Sequence, residues 1–341
     1  LWLPRVTGIR LLMRTSLLLA VIGLGMCFWN FGFAWLAAGR SLAGFAAASL
    51  MVHTTALVVR SVSAKAKSMC LGFAVSGGGI AIVIISLVLP FFIVKGPSGG
   101  WFVEAAITFL VAAVAWRFVS MAPHEREPSA DSIQPLAPRR RRLVLLITAA
   151  YTLMSIAVVP HTLFLADYMH RDLGLSIRDS SSLFSILGAG CAVGAIYVGP
   201  LTRLVSTRWG LSINYMMATA AIAMVLLFDS VIVVASSAFL IGVSLFGVVA
   251  LSSIRTLEIV GLSRHAHFWG GMALGFGAGM AAGSYAMSAL LSRGFHYIDL
   301  FQIAQVTVIC ALIILLFARW RYQDLENLTE KDNTQANHLA V

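Results

Sequence analysis

Apolar residues run along this chain in long blocks rather than at alternate positions. Residues 80–94 and 144–159 are two such blocks, both free of charged side chains. Strands of a membrane barrel alternate polar and apolar residues over about ten positions. Helices on the surface of a soluble domain carry a polar face every 3.6 residues. Neither pattern fits. Ten blocks reach the roughly 20 residues that an apolar helix needs to cross a bilayer. Their approximate limits are 11–29, 33–58, 68–93, 101–121, 143–166, 181–202, 212–229, 231–254, 267–291 and 299–319. The pattern predicts an all-α integral membrane protein of about ten transmembrane helices. In lipid every backbone N–H and C=O must be paired within the spanning element, which leaves helices as the answer here.

Composition agrees. Hydrophobic residues make up 59% of 341, charged residues only 11%, and the mean hydropathy is +0.89. A soluble domain carries about 25% charged residues, so lipid must solvate much of this surface. The formal net charge of +10 would suggest nucleic acid in a soluble protein, but the placement of the basic residues excludes it. One set of loops and span ends holds Arg5, Arg10, Arg14, Arg60, Lys65, Lys67, Arg117, Arg126, Arg139 to Arg142, Arg203, Arg208, Arg255, Arg264, Arg319, Arg321 and Lys331. The other set holds Lys95, Arg171, Arg178 and Arg293. Lysine and arginine mark the cytoplasmic side. The alternation predicts ten spans, both termini cytoplasmic, and a location in the plasma (inner) membrane of a bacterium. Cys27, Cys70, Cys191 and Cys310 all fall in apolar spans and read as buried thiols, without a disulfide framework or metal site.

The longest connection carries Pro123, Pro128, Pro135 and Pro138 before the basic block. It divides the chain into a partial N-terminal bundle of four helices (1–121), a cytoplasmic Pro/Arg-rich linker (122–142), a C-terminal six-helix bundle (143–320) and a polar, disordered cytoplasmic tail (321–341). Proline and charge keep the linker out of the membrane and out of a long helix.

Three motifs bear on this plan. Leu36-x-x-x-Arg40-x-x-Ala43-Gly44-x-Ala46-Ala47-Ala48 resembles the fourth-helix motif of the major facilitator superfamily. Leu3 to Arg10 resembles the loop between that superfamily's second and third helices, with Arg5 where an Asp usually stands. Gly199-Pro200-Leu201-Thr202-Arg203 through Gly210 resembles the equivalent loop of the second half, also without the acid. Gly77-Gly78-Gly79 replaces the Gly-Pro of the antiporter motif. Residues 159–168 and 183–194 are similar to the bacterial YbfB/YjiJ subgroup. The resemblance implies a major-facilitator-like bundle whose first two helices precede Leu1, and a transporter working by alternating access.

The candidate functional residues follow. Arg40 is read as the one charge clearly inside a span, about seven residues or ~10 Å from the outer end. A charge at that depth is costly unless it faces a cavity or partner, or snorkels outward. Small neighbours at Gly44 and Ala47 favour the cavity, where Arg40 would attract an anion or carboxylate or pair with a protonatable acid. His161, beside the kink expected at Pro160, and Tyr151 complete the solute or ion pathway. His53 reads as a hydrogen-bonded structural histidine. Asp167 reads as a pathway residue or part of a solvated outer loop. Gly271, Gly275, Gly279 and Gly283, with Gly190 and Gly194, recur every four residues. They lie on single helix faces for close packing, with ligand contact and sliding between the two halves as compatible roles. Arg255 and Glu258 have pairing distance at a helix end and read as a surface pair. Trp101, Trp116, Trp269 and Trp320 read as interfacial anchors.

No nucleophile elbow, zinc-protease helix or phosphate-binding loop occurs. The sequence therefore predicts a secondary active transporter for a small solute, not an enzyme and without a cofactor. It would be driven by an ion gradient, protons first, or by the solute's own gradient, as a monomer in contact with lipid. The rival reading is an inactive or truncated remnant, or a non-transporting receptor or scaffold bundle.

Overall fold

The computed structural model describes residues 8–29, 31–63, 66–93, 96–121 and 136–322. The described residues form helices and no strand. They are α1 (Ile9–Phe28), α2 (Phe33–Ser61), α3 (Lys67–Ile93), α4 (Pro97–Met121) and α5 (Pro138–Ala157), then a π-helical turn (Pro160–Phe164). α6 (Leu165–Arg171), α7 (Ile177–Leu204), α8 (Thr207–Leu227), α9 (Val231–Val260), α10 (Leu262–Ser292) and α11 (Tyr297–Arg321) follow. α5, the π turn and α6 form one continuous span. Ten helices are thereby long and apolar enough to cross a membrane. Large apolar side chains such as Leu274, Ile232 and Phe118 remain exposed on them.

Several helices outrun the apolar blocks. α9 has 30 residues and α10 has 31, or about 45 Å at 1.5 Å per residue. That exceeds a hydrocarbon core of about 30 Å. Backbone hydrogen bonding extends the helices past the apolar stretch until a breaker intervenes. Between α9 and α10 the breaker is Gly261 alone, at φ 78°, a left-handed conformation that glycine adopts without steric cost. Residues 139–142, read from sequence as the end of the linker, form the first turn of α5. Pro138 starts that helix, where its missing N–H removes no bond. The rest of the linker (122–135), the tail beyond 322 and the Leu3–Arg5 part of the loop motif lie outside the described residues.

The chain clusters into two compact units, Leu1–Leu57 with Leu87–Gln134, and Val58–Ser86 with Pro135–Val341. In the first, α1 packs on α4 through Ile9, Met13 and Leu17 against Ala112 and Val119. α1 and α2 approach at Gly23 and Gly39, where an added Cβ would lie 2.7 Å from the facing backbone. In the second unit, α7 packs against α9 and α5 against α10 and α11. Gly190 and Gly194 of α7 face the carbonyls of Phe239 and Val243 on α9 with no room for a side chain. On α10, Gly275 and Gly279 abut Thr152 of α5, and Gly283 abuts Ile156 and Val159, while a Cβ on Gly271 would meet nothing within 4 Å. The spacing of four thus covers three contacting glycines and one open one. Glycines that the periodicity does not single out make equally close contacts: Gly79 of α3 meets Gly188 and Ala192 of α7.

Candidate functional site

The polar side chains within the helices gather in separate places. In the first unit, Arg40 of α2 and Glu104 of α4 stand at matching depth. Each is seven residues past the first residue of its helix, or about 10 Å along the axis. Their charged groups are 3.9 Å apart, Nη1 to Oε2, with the side chains 57% and 27% exposed. The guanidinium lies 5.3 Å from the ring centroid of Trp101, one turn before Glu104. That is within cation–π range. Gly44, one turn after Arg40, borders open space: a Cβ there would meet nothing within 4 Å. Arg40 is therefore not the one charge inside a span. Glu104 was legible as a carboxylate near the start of the 101–121 apolar block, but the loop-by-loop tally of basic residues passes over acids. On the buried side, Ser16 donates to Ser49 at 2.8 Å, and His53 Nδ1 lies 2.7 Å from the Ser49 carbonyl.

In the second unit His161 lies on the π turn and is fully buried. Pro160 has no N–H to give the helix and its ring crowds the preceding turn. The helix answers with a local π turn rather than a sharp break, a feature that often accompanies functional sites. His161 Nε2 is 2.8 Å from Ser237 Oγ on α9. That hydroxyl donates its one hydrogen to the Ala221 carbonyl at 2.6 Å, so the imidazole Nε2–H must donate to Ser237. Nδ1 has no partner among the described residues. Phe301 of α11 meets the ring edge-on at 5.1 Å. Tyr151, also buried, faces α10 instead, with Phe276 at 4.8 Å and Trp269 at 5.9 Å. The helix thus turns His161 toward α9 and α11, and Tyr151 toward α10.

Four readings from sequence change here. Trp269 is fully buried against Tyr151 and is no interfacial anchor, because α10 extends a turn beyond its apolar block and carries the indole into the bundle. Trp320 does stand exposed. Arg255 and Glu258 are not a surface pair. Their side chains are 5% and 19% exposed, with Nη1 to Oε2 at 2.8 Å. Thr207 of α8 donates to the other carboxylate oxygen at 2.7 Å. The spacing of three shows that the pair can form, but only packing of α8 on α9 buries it. Asp167 lies on α6 rather than in a loop. It accepts hydrogen bonds from Tyr297 of α11 and, at 2.8 Å, from Arg171. Cys310 is exposed on α11, whereas Cys27 and Cys191 are buried. No group of three His, Cys, Asp or Glu side chains suited to a metal occurs among the described residues.

Among the described residues, ten helices long and apolar enough to cross a bilayer define a multi-pass membrane protein. The chain belongs to the family described as "Uncharacterised MFS-type transporter YbfB", whose match covers residues 2–316. It is a transporter of the major facilitator superfamily rather than an enzyme, with a small solute as its cargo. No curated protein sequence matches it. Among solved structures it is similar to the crystal structure of the human organic anion transporter MFSD10 (TETRAN). There the TM-score is 0.63 at 17% identity, over 90% of this chain and 77% of that one. It is also similar to FucP, a major facilitator transporter crystallised in the outward conformation. The TM-score is 0.64 at 12% identity, over 91% of this chain and 83% of the other. At such identities the likeness is one of fold.

Proposed function

We propose that the chain is a secondary active transporter that moves a small solute by alternating access, with protons as the coupling ion. The observation that carries this reading is the Arg40–Glu104 pair. A transporter fold has no structural need for a guanidinium and a carboxylate two turns inside apolar helices, and each costs several kcal/mol there unless it serves a cavity or partner. Their loose spacing of 3.9 Å, the aromatic floor at Trp101 and the open space at Gly44 suit a solute site. Glu104 and His161 supply protonatable groups within the spans, one in each unit.

The chain is read as a monomer in a bacterial plasma membrane with both termini cytoplasmic. Within the second unit, Arg139 to Arg142, Arg203, Arg208, Arg255, Arg264, Arg319 and Arg321 stand at one set of helix ends. Among the described residues Glu258 is the acid there. The opposite ends carry Arg171, Arg178 and Arg293 with Asp167, Asp172, Asp179, Asp229 and Asp299. The basic end is the cytoplasmic one by the positive-inside rule.

The test is accumulation. Membrane vesicles bearing the chain are loaded from an extract of bacterial small molecules, and mass spectrometry identifies species that enter only when the chain is present. Arg40→Ala is expected to abolish that accumulation with membrane insertion intact. Normal accumulation in Arg40→Ala shows that Arg40 merely snorkels. No accumulation with the wild-type chain favours a remnant or scaffold.

A further inference from the structure

We infer that the Arg40 site takes a carboxylate-bearing solute and that Glu104 is its stand-in, released from Arg40 by one proton for each carboxylate bound. The inference rests on the transport reading above and adds the chemical class of the cargo and the coupling residue. Among the described residues Arg40 makes no hydrogen bond to protein, though its planar fork presents five donors. A settled ion pair of arginine and glutamate closes to about 2.8 Å, commonly with two parallel bonds. The pair in this unit stops at 3.9 Å. Trp101 supports the guanidinium from one side and the open space at Gly44 leaves the approach along α2 clear. The fork is thus held in place, attracted but not satisfied by Glu104. A ligand carboxylate would satisfy it in two parallel bonds.

Charge balance sets the stoichiometry. With Glu104 ionised the site holds one guanidinium and one carboxylate, and is neutral. A second carboxylate arriving alone would leave a net negative charge within apolar helices, which is electrostatically costly. If Glu104 takes a proton from the aqueous phase, its carboxylate becomes a neutral acid. One O–H bond forms, and Arg40 is freed for the solute. With the proton on Glu104 and the solute carboxylate on Arg40 the site is neutral again, and the reverse steps release solute and proton together. Among the described residues, the other titratable group in electrostatic reach of both side chains is Cys27 of α1, buried with its thiol on the Gly23 carbonyl at 3.3 Å.

The experiment uses the full chain in proteoliposomes holding a trapped pH dye, with the membrane potential clamped at zero. The probes are lactate, gluconate and hippurate, each against its uncharged amide, with empty liposomes as the leak control. At least one carboxylate is expected to enter with one proton per molecule, and its amide is not. Glu104→Gln is expected to keep exchange of labelled carboxylate for unlabelled but to lose proton movement at least tenfold. Glu104→Asp, which keeps the acid should the amide misfold, is expected to retain both. Arg40→Ala and Arg40→Lys are expected to lose exchange at least tenfold. Proton-coupled entry that survives in Glu104→Gln overturns the role of Glu104. Entry of amides but not carboxylates overturns the cargo class while the transport reading stands. Movement of none of the six probes overturns the cargo class as well. The transport reading then stands or falls on the extract-accumulation test, which does not depend on these probes.

Discussion

Glycine 194 and glycine 271 offer a paired test of what the close helix contacts contribute, because they differ in surroundings and not in residue or helix type. Replacing glycine with alanine inside a helix gains about 0.8 kcal/mol from reduced backbone entropy. At Gly271 an added Cβ meets nothing within 4 Å, so Gly271→Ala should show that gain undiluted. At Gly194 the same Cβ would lie 2.5 Å from Val243 Cα, and against the carbonyl of that residue. Ordinary carbon contacts begin near 3.5 Å, so α7 and α9 would have to separate by about 1 Å. Overpacking of this kind costs about 1–3 kcal/mol, more than the propensity gain. Gly194→Ala should therefore be destabilised by about 1 kcal/mol on balance, and Gly190→Ala likewise. A thiol-reactive dye that fluoresces on labelling buried cysteines reads the melting of the detergent-solubilised protein, since Cys27 and Cys191 are buried in the native state. A shift of about 2–4 °C per kcal/mol is expected for a large domain, upward for Gly271→Ala and downward for the α7 variants. A Gly194→Ala protein that melts as high as Gly271→Ala would refute the argument, because it would mean that α7 and α9 can part at no cost.

Two further outcomes follow from the buried polar contacts. Glu258→Gln leaves the buried Arg255 facing an amide, and breaking a buried pair costs about 3 kcal/mol. The melt should fall by several degrees, and the double change of Arg255 and Glu258 to methionine should recover most of it. A Glu258→Gln melt equal to wild type would show the pair to be a solvated contact. Ser237→Ala removes the acceptor for His161 Nε2–H on a fully buried ring, a loss of about 1–3 kcal/mol. Ser237→Thr, which keeps the hydroxyl, should lose less, and equal melts for the two would show that the hydroxyl's hydrogen bonds contribute nothing to stability.

Hydrophobic block length and the placement of arginine carried most of the fold without help from tertiary structure. Lipid is a solvent that demands one thing of every span, internal pairing of the backbone, so ten apolar stretches of sufficient length are ten helices whatever their neighbours. The kink region at Pro160 was legible for the same local reason, since a missing N–H and a clashing ring perturb any helix, although the π turn that results was not. What the sequence could not reach was the environment of each side chain. Glu104 lies 64 positions from Arg40, and only the packing of their helices shows that they meet. Arg255 and Glu258 had the spacing of a pair, but α8 decides that the pair is buried. Trp269 looked like an anchor at a span end and became core because α10 runs past its apolar block. The four glycines of α10 share a face by periodicity, yet only the position of α5 distinguishes the three that touch from the one that does not. Helix formation in lipid is decided residue by residue along the chain, whereas burial and pairing depend on which other helix arrives, and that is a property of the assembled bundle.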